Sequence, residues 1–328
     1  MVRRRLIRLG ALGSALCWSC LLFSAAASSE ESTPHALLER MNEAVRTLDY
    51  EGRFVVQMGD RLDSMYIVHR VDNGAEKERV LTLNGKPREI VRDDQAVACP
   101  VPGRDNKVNV GRRSHDRSFS PLAGISAEQL DMSYQLELLS ETRVAGRPAF
   151  QLLIRPRDDL RYGYRLFIDR ETALPLRSVM FDEALQPVSQ MMFVDLVTGD
   201  AVSPVMTGVE GKRATSAGQR VQLPTDRLAR PAWAFSDLPP GFELNVHRRR
   251  AMAKLPGESE HFIFSDGLAT VSVYIQPHTG EHSLIGESSL GAAKAVGRVV
   301  DDHEVIVVGE VPLKTLHLFA GHVHATSQ

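Results

Sequence analysis

From Thr33 onward the apolar positions first recur with a helical period. Leu37, Leu38, Met41, Val45 and Leu48 are three or four apart and fall on one face. Thr33 suits the cap of this helix and Pro34 its first turn. The period then shortens and strands are predicted almost without interruption, at Tyr50–Met58, Ser64–Val71, Arg79–Leu83 and Arg88–Val91. Asn84-Gly85, between the last two, is a strong hairpin signal. Shorter strands are expected at Ala96–Cys99 and Lys107–Val110. Ser120-Pro121 and Gly124 mark a break, with one helical turn at Ser126–Leu130. Strands resume at Tyr134–Glu141, Arg147–Arg155, Gly163–Asp169, Pro175–Phe181 and Pro187–Leu196. The pattern predicts an α+β fold dominated by one large antiparallel sheet, which must curl or be covered to hide its apolar face.

Several strands carry apolar residues on both faces: Phe54, Val55 and Val56 are consecutive, as are Tyr66, Ile67 and Val68, and Leu152, Leu153 and Ile154. A sheet with one wet face alternates strictly. Two readings stay open: a core covered by helices, or a curled sheet enclosing a ligand cavity, a common kind of binding site. For the second, the candidate lining is Phe54, Val56, Met58, Tyr66, Val68, Leu152, Ile154 and Phe167.

Residues 199–232 are rich in Gly, Ala, Ser, Thr, Pro and Arg and lack sustained periodicity, as expected of a linker with at most one short strand. The division expected is a first domain over 28–198 and a second over 233–328. In the second, Phe242 to Arg249 alternates, with Phe242, Leu244 and Val246 on one face and Glu243, Asn245 and His247 on the other. Glu260–Ser265 and Ala269–Gln276 flank Asp266-Gly267, Ala295–Val300 and Glu304–Val308 flank Asp301-Asp302, and Pro312–Val323 reads as a helix with Leu313, Leu316 and Ala320 on one face. A small α+β domain is expected.

The first 27 residues alter the chemistry of the rest. Arg3, Arg4, Arg5 and Arg8 precede 19 uncharged residues that end at Ala25-Ala26-Ala27. That is the layout of a cleaved export signal, so a periplasmic location is expected. The stretch is long enough for a membrane anchor, but Gly10, Gly13, Ser14, Ser19 and Ser24 dilute it. Neither Cys17 nor Cys20 sits in a lipoprotein-type site, and the twin-arginine likeness of residues 3–8 has no cofactor to explain it. Cleavage after Ala27 leaves one cysteine, Cys99, and hence no internal disulfide framework. It also leaves 35 basic and 41 acidic side chains, a formal −6, which argues against nucleic acid as a partner.

No phosphate-binding loop, dinucleotide fingerprint, His-Glu-x-x-His site or Gly-x-Ser-x-Gly turn is present, and no cofactor, metal or enzymatic activity is expected. Cys99 reads as a strand hydrophobe, with pairing between chains or a nucleophile's role as the sharper alternatives. His317, His322 and His324 are near in sequence, but His322 and His324 are two apart and do not align on a helix. The densest basic run, His247-Arg248-Arg249-Arg250, is either a solubilising strand end or a contact for a partner's carboxylates or a ligand's phosphates, with Arg248, Arg249 and Arg250 as the candidates.

Several segments, in order along both domains, resemble the MucB/RseB family of periplasmic regulators. In the first domain they are Leu48-Asp49-Tyr50-Glu51-Gly52 with Phe54, Tyr162-Gly163-Tyr164-Arg165-Leu166-Phe167-Ile168-Asp169, and Leu174-Pro175-Leu176-Arg177-Ser178. In the second they are Leu238-Pro239-Pro240-Gly241-Phe242, Ser265-Asp266-Gly267-Leu268-Ala269 before Val271-Ser272-Val273, and Val308-Gly309-Glu310-Val311-Pro312. The resemblance implies a first domain with the curled-sheet half-barrel of the LolA/LolB lipoprotein carriers and a hydrophobic cavity. It implies a second domain that binds the periplasmic part of a membrane-spanning, MucA/RseA-like anti-sigma factor. It further implies that the bound protein shields that factor from regulated proteolysis, that lipid or lipopolysaccharide releases it, and that it self-associates. A lipid or lipoprotein carrier is the alternative that needs the same cavity; an envelope hydrolase is a more remote one.

Overall fold

The structure, a computed structural model, describes residues 33–93, 96–100, 107–111, 125–203, 231–251, 258–280 and 283–326. The expected export segment, most of the 199–232 stretch, and the side chains of Cys99 and Arg250 lie outside the described residues and side chains. Helix α1 (Pro34–Thr47) begins as its sequence requires: the Thr33 hydroxyl accepts the Ala36 amide at 3.2 Å and Pro34 opens the first turn. Its buried stripe is Leu37, Leu38, Met41, Ala44 and Val45.

Eleven strands follow: β1 (Tyr50–Met58), β2 (Arg61–Asp72), β3 (Ala75–Thr82), β4 (Glu89–Asp93), β5 (Ala96–Pro100), β6 (Lys107–Gly111), and, after α2 (Ala127–Leu130), β7 (Tyr134–Val144), β8 (Arg147–Pro156), β9 (Gly163–Asp169), β10 (Pro175–Phe181) and β11 (Pro187–Thr198). They form one antiparallel sheet in the order β6-β5-β4-β3-β2-β1-β11-β10-β9-β8-β7. Strands β2 and β7 are six spacings apart in that order, about 29 Å if the sheet were flat at about 4.8 Å per strand. Helix α1 nevertheless touches both, and a helix with its side chains is only about 10–12 Å across. The sheet therefore curls around α1, and the helix fills the concave side. Tyr50, Phe54, Ile67, Leu152, Ile154, Tyr164, Leu166, Ile168, Met180, Met191 and Phe193 meet the α1 stripe there in one core. A smaller apolar cluster, Val144, Ala149, Phe167 and Leu176, lies on the convex side.

The second unit is a six-stranded antiparallel sheet, β13-β14-β15-β18-β17-β16, made of β13 (Glu243–Ala251), β14 (Glu258–Ser265), β15 (Thr270–Pro277), β16 (Gly286–Leu290), β17 (Ala293–Val300) and β18 (His303–Gly309). Helix α3 (Leu313–Gly321) packs against one face, over Phe262, Phe264, Val271, Val273, Val305 and Val307. The short strands β12 (Trp233–Phe235) and β19 (Val323–Ala325) pair beside it.

Two sequence expectations need correction, and one strand has no counterpart among them. The expected last helix stops at Gly321, and Val323 belongs to a strand. Strand β16 has no apolar alternation to reveal it; all five residues are exposed. In β13 the register slips between Leu244 and Val246, so Leu244 faces Phe264 while Val246 faces Ile263. One extra residue turns the strand over. Leu244 and Val246 therefore do not share a face, and His247 stacks on Phe262 in the core, ring centroids 4.5 Å apart.

Candidate functional site

The eight candidate cavity residues divide between the two faces of the large sheet. Phe54, Leu152 and Ile154 are buried in the concave core and Val56 packs against it, whereas Met58 on the same strand is 38% exposed. Tyr66 and Val68 pair across strands with Arg53 and Glu51 rather than with Phe54 and Gly52, so they stand on the convex side; the Tyr66 hydroxyl donates to Glu51 at 3.3 Å. Phe167 is also convex, under the guanidinium of Arg177.

The concave core does not end with the first domain. Leu268, from the β14–β15 turn, and Ala292, from the β16–β17 turn, are buried members of it. The second domain thus caps one rim of the curled sheet. The backbones of the β1–β2 and β16–β17 turns nearly touch, such that a Cβ on Gly291 would lie 3.2 Å from the Met58 carbonyl carbon.

At this seam sits a charged hub. The Arg161 side chain is 1% exposed and Asp266 is fully buried, and Arg161 Nη1 donates to Asp266 Oδ2 at 2.7 Å across the domains. Arg161 Nε and Nη2 fork onto Asp158 at 3.0 Å each, and Nη2 also reaches the Pro240 carbonyl at 2.6 Å. Tyr134 Oη donates to Asp266 Oδ2 at 3.0 Å, while Asp266 Oδ1 accepts the Leu268 and Ala269 amides of its own turn. The guanidinium lies over the rings of Phe242 and Tyr134, 5.1 and 5.7 Å from their centroids. Burial first, and then the neighbouring Asp266 carboxylate, pushes the Tyr134 phenol well above its ordinary pKa, so it stays a donor. Gly241 lets the β12–β13 turn approach: at φ +82° it takes a left-handed conformation, and a Cβ there would lie 2.4 Å from Ser133 Oγ. The Thr315 hydroxyl, at the start of α3, donates to the Leu160 carbonyl at 2.6 Å, and Lys314 pairs with Asp159.

The sequence assigns this hub no role, although Pro240, Gly241, Phe242, Asp266 and Leu268 stand in segments that carry the family resemblance. Asp266-Gly267 carries only a turn signal and Arg161 looks like one more charge in a loop. The one local hint is three acids and bases in four residues, Asp158, Asp159 and Arg161, beside a buried aromatic pair, Tyr162 and Tyr164.

The basic run separates. Arg249 turns to the α3 side, where Nη2 meets the buried Glu260 at 2.8 Å; Glu260 also binds His247 at 2.6 Å and the Ala232 amide at 3.1 Å. Arg248 takes the opposite face, in register with His261 and Tyr274, whose rings stack at 4.1 Å. Among the described residues Arg248 has no ion pair. Of the C-terminal histidines, His317 pairs with Glu287 at 2.7 Å.

One buried carboxylate away from the seam sets an acid limit on the fold. Burial would raise the pKa of Asp169, but the Arg147 guanidinium at 2.8 Å and the Thr172 hydroxyl and amide outweigh it and hold the carboxyl below 3.8. A depressed native pKa stabilises the fold above the unfolded value, and that contribution is lost as pH falls through the native one. Urea midpoints should therefore drop on acidification below about pH 4, and Asp169→Asn should flatten that slope while lowering stability at neutral pH. An unchanged slope would remove Asp169 from the acid response.

Residues 33–215 match the family model of the MucB/RseB N-terminal domain, and residues 227–324 that of the MucB/RseB C-terminal domain. The sigma factor AlgU regulatory protein MucB of Pseudomonas aeruginosa is 35% identical over 287 residues, 85% of this chain and 86% of that protein. The sigma-E factor regulatory protein RseB of Haemophilus influenzae is 27% identical over 304 residues, 90% of this chain and 92% of that one. Among solved structures, the Pseudomonas aeruginosa MucA/MucB complex superposes with a TM-score of 0.70 at 32% identity, covering 90% of this chain and 99% of that chain. A crystal structure of MucB gives 0.59 at 31% identity, covering 88% and 97%. Two family models in chain order, together with a relative this similar over most of its length, establish that the chain belongs to the MucB/RseB family.

Proposed function

We propose that this protein is a periplasmic negative regulator of an envelope-stress sigma factor. It binds the periplasmic part of a transmembrane, MucA-like anti-sigma factor, shields it from regulated proteolysis, and lets go when a lipid or lipopolysaccharide signal arrives. The observation that carries the reading is the match to MucB as it exists in complex with MucA, across nearly the whole of both chains. The curled sheet around an apolar core supports an apolar signal.

The test is direct. The purified protein is titrated with the periplasmic part of the anti-sigma protein from the same genome, and the partner's cleavage by its site-1 protease is timed with and without it. Saturable binding and slowed cleavage are expected. Binding without protection would leave a binding protein but not this regulator.

Arg248 and Arg249 give a finer expectation. Arg249→Ser takes one of three partners from the buried Glu260, leaving His247 and the Ala232 amide, so the second domain should lose about 1 kcal/mol. Arg248→Ser should leave stability within about 0.5 kcal/mol of wild type but weaken the partner complex, more so at low salt. Unchanged partner affinity in Arg248→Ser, across salt concentrations, would exclude Arg248 from the contact.

A further inference from the structure

We infer that the second domain is a displaceable cap on the core of the first, and that an amphiphile with a long apolar chain and the docked cap exclude one another. The inference rests on the regulator reading only in taking such a molecule as the signal; the competition itself follows from the seam.

The concave side of the large sheet is filled by α1 and closed at its rim by Leu268 and Ala292, which are 7% and 2% exposed. Both come from turns of the other domain. An apolar chain entering at this rim must therefore occupy the space these two side chains hold, and close-packed interiors do not admit both. Besides these apolar contacts, the cap is held by polar bonds that cross the seam: Arg161 to Asp266 and to the Pro240 carbonyl, and Tyr134 to Asp266. Arg161 spends its donors on Asp266, Asp158 and Pro240, and the Asp266 carboxylate is filled by Arg161, Tyr134 and its own turn. The bonds across the seam polarise one another, and lifting Leu268 out moves Asp266, two residues earlier, and breaks its bonds to Arg161 and Tyr134 together.

A second observation points to what enters. Tyr162 is 2% exposed, it belongs to the concave core, and its hydroxyl has no hydrogen-bond partner among the described residues. Its ring faces Lys294 of the cap, the ammonium 5.5 Å from the centroid. An unsatisfied buried hydroxyl weakens the closed state and offers a donor to the polar head of whatever replaces the cap. The seam thus combines a strong latch with an apolar plug and an idle polar group, which fits a ligand with a chain and a head rather than a plain hydrocarbon.

The apparent affinity of a ligand that binds only the undocked form is reduced by the fraction undocked, so loosening the latch must tighten ligand binding. The probe is cis-parinaric acid, a fluorescent fatty acid, titrated into the two-domain protein. Asp266→Asn, which keeps the shape of the turn and removes the charge facing Arg161, should bind it about tenfold tighter than wild type or better. The opposite lever is a covalent one. The Cβ of Gln129 and a Cβ placed on Gly267 would be 3.6 Å apart, inside the range for a disulfide. In a Cys99→Ser background, Gln129→Cys with Gly267→Cys should bind the probe about tenfold more weakly oxidised than reduced. Equal binding by the oxidised and reduced forms would overturn the inference. If the strained position at Gly267 prevents folding, Asp266→Asn decides alone: affinity no greater than wild type, in a variant with an unchanged circular dichroism spectrum, overturns it. A protein that fails to bind an anti-sigma partner yet shows this pattern would lose the regulator reading and keep the cap.

Discussion

Asp266→Ala is expected to separate the thermal unfolding of this protein into two transitions. In the intact chain Leu268 and Ala292, from turns of the second domain, are buried in the core of the first, and one cooperative transition is expected. Removing the Asp266 carboxylate leaves the Arg161 guanidinium, 1% exposed, with Asp158 and a carbonyl but without its fully buried partner across the seam, and takes from the Tyr134 hydroxyl its Asp266 acceptor. Stripping one partner from a buried pair costs about 3–5 kcal/mol when the survivor is left uncompensated; Asp158 still balances the guanidinium here, so the low end of that range is expected. Undocking lets water reach Arg161, so the domains should part before either unfolds. Replacing both charges in Arg161→Met/Asp266→Leu should recover much of the loss. Calorimetry checks both. A single transition at the wild-type temperature in Asp266→Ala would mean that apolar packing alone holds the seam.

Phe193→Ala is expected to cost the first domain about 3–5 kcal/mol. Phe193 is 1% exposed, in the centre of the large sheet on β11, with its ring 5.6 Å from that of Phe54. The backbone below has been shaped to receive it. At Gly52 a Cβ would lie 3.1 Å from the Phe193 ring and 2.3 Å from the Asp195 carbonyl oxygen, and the register shifts at Arg53/Phe54 beside it. No neighbour is free to collapse into the hole, since α1 occupies the other side. Urea denaturation should show the loss in full, while Tyr66→Ala, on the half-exposed convex face, should cost about 1 kcal/mol. Equal losses would mean that the two faces are equally packed.

How much of this was legible depended on what punctuates each strand. Strands β1, β9 and β10 are placed to the residue because Gly, Pro or Asp stands at their ends. Which face of a strand meets the core was not legible where both faces are apolar. Nothing in Tyr66-Ile67-Val68 says that Ile67 points inward and its neighbours outward, because register with β1 decides it. The bulge in β13 is of the same kind: Leu244, Asn245 and Val246 alternate perfectly, and one unpaired residue reverses the strand. The hub was hidden for a different reason. Arg161 and Asp266 are 105 residues apart, and each is a charge in a turn, the commonest place for a solvated one. Only docking of the two domains removes them from water. The family resemblance implies the architecture, and its segments contain Pro240, Phe242, Asp266 and Leu268, but nothing in it says that these residues join the two halves.

The small sheet ends in two edges of opposite character. On one side is β13, carrying Arg248 and Arg249 and broken by its bulge; on the other is β16, exposed along all five residues and with Glu287 as its one charge. A cationic, kinked border resists the addition of another strand, since like charges would be brought within about 5 Å and the ladder could not stay in register. A flat, nearly neutral border invites it. If copies of this chain assemble by extending the sheet, they join through β16, and a lysine at Ser288 should be enough to keep them apart.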